Sequence, residues 1–76
     1  MNRIRRNNIE KLVESLENLK EELETIKDEE EEAMENTPES LQESDRYQAM
    51  EEAYNNLEEA FDALGFVIDY LIEAAS

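Results

Sequence analysis

Carboxylates are the groups in this chain best supplied for chemistry. Its 76 residues hold 22 aspartates and glutamates against seven lysines and arginines, with no histidine and no cysteine. Without histidine the commonest general base and the commonest transition-metal ligand are missing. Without cysteine there are no disulfides and no thiolate metal sites. The densest carboxylates are the run Asp28, Glu29, Glu30, Glu31 and Glu32, followed by Glu35. Such a run has three uses: to hold a divalent cation, to meet a basic partner, or to solvate one face of a helix. Neither an EF-hand loop nor a Glu-x-x-His pair accompanies it, which leaves a cation site unsupported.

The formal net charge is −15. That charge opposes binding to nucleic-acid phosphates and to anionic membranes. It favours a basic partner or plain solubility. From Glu10 to Glu35 there are twelve carboxylates, about one per 3.3 Å if the segment is helical. A nucleic-acid strand carries one phosphate per roughly 3.4 Å. Glu51, Glu52, Glu58, Glu59, Asp62, Asp69 and Glu73 follow, and no basic residue occurs after Arg46.

The elements that position these groups are read from apolar spacing. Tyr47, Met50, Tyr54, Leu57, Phe61, Leu64, Ile68, Leu71 and Ala75 alternate by three and four. That period predicts a long helix over about 45–75 with a coiled-coil-like seam. An earlier helix, about 4–35, carries Ile9, Leu12, Leu16, Leu19, Leu23 and Ile26 as its expected seam. Val13 and Met34 widen it, and Glu30 falls where a core residue is expected. Between them, 36–44 breaks the period. Thr37-Pro38 has the form of an N-cap and first helical proline, Ser40 with Glu43 has capping-box spacing, and Ser44 or Asp45 suits an N-cap. The expectation is a short helical connection with Leu41 tucked beneath it.

Matched helices around a short connection predict an all-α antiparallel two-helix hairpin, one domain over 1–76. Folding about residue 40 sets Ile26 near Tyr54, Leu19 near Phe61 and Leu12 near Ile68. The same fold brings Arg3, Arg5 and Arg6 towards Asp69 and Glu73 for electrostatic closure. Helix 2 carries more apolar surface than one neighbour covers. A homodimer forming a four-helix bundle, or a higher helical oligomer, is therefore expected. Its interface residues are Phe61, Leu64, Val67, Ile68, Tyr70, Leu71 and Ile72. Gly65, inside that helix, suits either a close helix crossing or plain tolerance. The basic start lacks an apolar core of signal-peptide length, and no run is apolar enough to span a bilayer. A soluble, cytoplasmic protein is expected.

Two resemblances bear on function. Glu31-Glu32-x-x-Glu35 with Glu59-x-x-Asp62 resembles the magnesium-binding pattern of all-helical nucleotide pyrophosphohydrolases related to the MazG family. That implies magnesium-assisted hydrolysis of a nucleoside triphosphate. The lysine and aspartate found downstream in that family have no counterpart here, and a glutamate-rich chain meets such patterns by chance. The segment Asn36-Thr37-Pro38-Glu39-Ser40-Leu41-Gln42-Glu43-Ser44 carries the second resemblance. With Arg46, Met50-Glu51-Glu52-Ala53 and Leu57-Glu58-Glu59-Ala60, it resembles a family of short acidic bacteriophage and prophage proteins. That resemblance implies a phage origin and no catalytic residues. By analogy it suggests an inhibitor of host defence that mimics DNA, as toward a restriction enzyme or CRISPR nuclease.

The leading expectation is thus a non-enzymatic acidic protein, without cofactor or metal, that occupies the basic surface of a host nucleic-acid-binding protein or nuclease. Asp28, Glu29, Glu31, Glu32 and Glu35 are the expected contacts. The alternative is a structural or adaptor oligomer that uses the apolar face of helix 2. The magnesium pyrophosphohydrolase is the remote third reading.

Overall fold

The computed structural model describes residues 1–76, folded as two long antiparallel helices. Helix α1 spans Arg3–Glu35, helix α2 spans Asp45–Ala75, and a 3₁₀ turn, Glu39–Leu41, lies between them. The result is a rod with principal extents of 59 × 15 × 13 Å.

Local chemistry fixes each helix end. At the start of α1, Asn2 Oδ1 accepts from the Arg5 backbone N–H at 2.8 Å. This satisfies one of the donors that a helix start leaves free. The last turn of α1 is closed by Thr37, whose Oγ1 donates to the Ala33 carbonyl at 2.9 Å. Thr37 therefore finishes the first helix and does not cap the next one. Pro38 is extended (φ −56°, ψ 142°) and leads into the 3₁₀ turn, as a ring without an N–H favours. The Ser40/Glu43 box has no helix to serve, because the turn ends at Leu41. Ser44 is the N-cap of α2: its Oγ accepts from the Tyr47 N–H at 3.2 Å and donates to the Leu41 carbonyl at 2.6 Å. Leu41 is 53% exposed and not tucked beneath the connection.

The seam of α2 is the expected one. Tyr47, Met50, Tyr54, Leu57, Phe61, Leu64, Leu71 and Ala75 are half-buried, and Ile68 is buried. In α1 the seam differs from expectation. Ile9, Leu16 and Leu23 face inward, but the companion row is Val13, Lys20, Lys27 and Met34, not Leu12, Leu19 and Ile26. Both choices alternate by three and four, so spacing alone does not separate them. The reason for the outcome lies in Phe61. The Lys20 and Lys27 ammonium groups stand over its ring, 4.6 and 5.2 Å from the centroid. Their alkyl stems fill the seam while the charge meets the ring's negative face. Glu30, the expected misfit, sits half-buried on the inward row.

The register is also shifted. Glu31 meets Tyr54, and Lys20 lies against Gly65. That is about five residues, or roughly 7.5 Å of axis, from the expected pairing. The arginines consequently overhang the end of α2. Arg6 lies about 9 Å along the axis from the level of Glu73. Its Nη2 donates to the Met1 carbonyl at 3.4 Å, and its Nε is without a hydrogen-bond partner. The expected closure onto Asp69 and Glu73 gives way to this local contact.

Candidate functional site

Two inward rows on each helix leave two flanks along the hairpin, and the sequence loads them differently. On one flank α1 carries Glu10, Glu17, Glu24 and Glu31, and α2 carries Glu51, Glu58, Gly65 and Ile72. These rows meet across open grooves. One, of about 440 Å³, is lined by Glu17, Lys20, Glu21, Glu24, Phe61, Gly65, Ile68, Asp69 and Ile72. A second joins Glu10 and Val13 to Ile72, Ala75 and Ser76. Toward the tip, Tyr54 donates its hydroxyl to Glu31 Oε2 at 2.5 Å. Hydrogen bonding to Glu31, and next to Glu58, raises the Tyr54 phenol above its ordinary range. The cause is the neighbouring carboxylates, which stabilise the neutral donor and oppose a phenolate beside them.

The opposite flank carries no carboxylate. Its α1 row is Leu12, Leu19, Ile26 and Ala33, and its α2 row is Arg46, Ala53, Ala60, Val67 and Ala74. Ala33 and Arg46 line one cavity beside the turn, which places the two rows on the same side. All of these residues are exposed, with Leu12 at 48% and Leu19 and Ile26 at 53%.

The expected contact residues divide accordingly. Asp28, Glu29, Glu32 and Glu35 are exposed on the outer faces of α1. Glu31 is drawn inward by Tyr54, so it leaves the free acidic set. Of the expected oligomer residues, Phe61, Leu64, Ile68 and Leu71 line the intramolecular seam. Ile68, at 5% exposure, is spent inside the hairpin and offers nothing to a second molecule. Val67, Tyr70 and Ile72 are exposed, at 46, 73 and 50%, but Ile72 lies on the acidic flank and Val67 on the apolar one. The residues that the expected interface omits are Leu12, Leu19 and Ile26. Their signal in the sequence is that α1 has two apolar rows, one of Ile9, Leu16 and Leu23 and one of Leu12, Leu19 and Ile26, with Val13 and Met34 in a third, more than one helix neighbour covers.

The carboxylates of the pyrophosphohydrolase-like pattern are dispersed. No three or more histidine, cysteine, aspartate or glutamate side chains are grouped so that they could hold a metal ion. Within that pattern Glu31 is committed to Tyr54. Within the hairpin, a Cβ at Gly65 would lie 3.1 Å from Lys20 Nζ, so the glycine leaves room for a side-chain tip. No helix is long and apolar enough to cross a membrane. No protein-family model matches the chain, and no curated protein or solved structure matches it.

Proposed function

We propose that this is a non-enzymatic acidic binding protein that occupies a basic, nucleic-acid-binding surface of another protein in place of the nucleic acid. One observation carries the reading. Of the 22 carboxylates, all but Glu30 and Glu31 are exposed, along a rod 59 Å long. Backbone hydrogen bonding along both helices fixes the points from which those side chains project, so no backbone order has to be imposed on binding. A groove of lysines and arginines that tracks phosphates meets a comparable axial charge density here. The likeness of the 36–44 segment to short acidic phage proteins supports a host nuclease or another nucleic-acid-binding protein as the target.

The test is reversal of the exposed cluster, Asp28→Lys, Glu29→Lys, Glu32→Lys and Glu35→Lys together. The partner is first captured from host-cell lysate at low salt and identified by mass spectrometry. The quadruple variant should then bind it at least about tenfold more weakly, with a shallower salt dependence. Unchanged affinity rejects the mimic reading.

A second reading has its own observation, the carboxylate-free flank. In a structural or adaptor oligomer the charge only keeps the assembly soluble. Salt-resistant recovery of the chain with itself alone would favour that reading over the first.

A further inference from the structure

Only Val13 and Ile68 are buried among the 76 residues. The hairpin therefore builds almost no core of its own, and the apolar flank is where the missing burial lies. A compact monomer of 8.9 kDa exposes about 4,800 Å², whereas this chain exposes 5973 Å². The excess, about 1,200 Å², is larger than the roughly 800 Å² that each partner contributes to a standard interface.

We propose that a second copy of this chain covers the apolar flank, with α1 of each copy lying on α2 of the other in a four-helix bundle. Two features select a second copy. The first is charge. Each chain carries −15, yet neither row of this flank holds a carboxylate. Two copies can meet there without opposing carboxylates, Arg46 at the turn end being the one charged side chain of the two rows, while a basic partner is drawn to every other face.

The second feature is size. Leu12, Leu19 and Ile26 are large, and Ala74, Val67 and Ala60 are the α2 residues at the same heights in the register fixed by Lys20 with Gly65. A twofold axis parallel to the helices carries α1 over α2 of the partner and keeps those heights. Leu12 then faces Ala74, Leu19 faces Val67, and Ile26 faces Ala60, each from the other copy. Large residues meet small ones, as interdigitated cores require. A twofold axis across the helices would instead set the large α1 row against itself and the small α2 row against itself. This inference does not rest on the mimic reading. Its salt dependence is opposite: screening helps two acidic chains associate and weakens an acidic chain on a basic groove.

The experiment is sedimentation equilibrium on the whole chain at physiological salt, with Leu19→Glu alongside. The wild-type mass should be twice 8.9 kDa, and more dimer should form as salt rises. Leu19→Glu should halve the mass. A wild-type monomer at every concentration and salt, or a mass above the dimer, overturns the proposal. If Leu19→Glu loses its helical signal, the wild-type melting temperature decides: it rises with concentration for a dimer and stays flat for a monomer. The helix pairing is read separately, by mixing Ile26→Cys and Ala60→Cys chains under oxidation. A crosslink that forms in the mixture supports α1 on α2. A crosslink in Ile26→Cys alone overturns that pairing.

Discussion

The two flanks of the hairpin are built on the same two helices and differ in almost every physical respect. One is glutamate along α1 and is joined across the seam by a tyrosine hydroxyl and two lysines beside a phenyl ring. The other is leucine and isoleucine facing alanine and valine, with no carboxylate. On the acidic flank Glu31 is answered within the chain by the Tyr54 hydroxyl, and the other carboxylates face solvent. On the apolar flank nothing within the chain answers the exposed surface. A seam two rows wide thus serves for internal closure, and the third row of α1 remains exposed.

The comparison is broken most severely by removing the seam that both flanks depend on. Ile68→Ala deletes one of the two buried side chains and should cost about 2–4 kcal/mol at every protein concentration in chemical denaturation. Leu19→Glu, on the apolar flank, should instead cost more as concentration rises, because it acts through the second copy. Equal, concentration-independent losses from both would erase the distinction between seam and flank.

A smaller effect isolates the acidic flank. The Tyr54 phenol titrates higher in the folded chain than in the unfolded one. Its contribution to stability is therefore fully present below the unfolded pKa, about 10. Above that pH the unfolded chain releases the proton first, and the contribution declines. Stability of the wild type relative to Tyr54→Phe should be level through neutral pH and narrow in alkali. A difference that stays level into strong alkali would mean that Glu31 and Glu58 do not hold the proton.

The smallest effect lies at Gly65. Alanine there gains up to about 1 kcal/mol of helix propensity. The only close neighbour of the new Cβ is Lys20 Nζ, the free end of a flexible side chain. Gly65→Ala should raise the thermal midpoint slightly, and a fall would show that the ammonium position over Phe61 is held more tightly than its geometry suggests.

Much of the architecture is legible in the residues. Ser44, the break at 36–44 and the alternation from Tyr47 to Ala75 mark the helices and their reversal. The rotation of α1 about its own axis is not legible. Ile9, Leu16 and Leu23 belong equally to a seam with Leu12, Leu19 and Ile26 and to one with Val13, Lys20 and Lys27. Hydrophobicity favours the first, but the structure takes the second, because lysine stems bury well when an aromatic face receives the charge. The same ambiguity conceals the candidate surface. Leucines assigned to an internal seam cannot also be seen as an external face. Glu31 is a comparable case: it reads as one more exposed carboxylate until the register brings Tyr54 beside it.

The nine-residue connection between Glu35 and Asp45 also sets how the chain finds its fold. Contacts next to the turn close a short loop, and each further pair along the rods closes one only slightly longer than the last. Closure can therefore run outward from Ser44 like a zip, with the loop entropy met once at the start. Glu10 and Ala75, together at the open end, are the last to meet and the first to separate. Such a topology, low in contact order, belongs to the fast end of folding rates, and the open end is the last part of it to close.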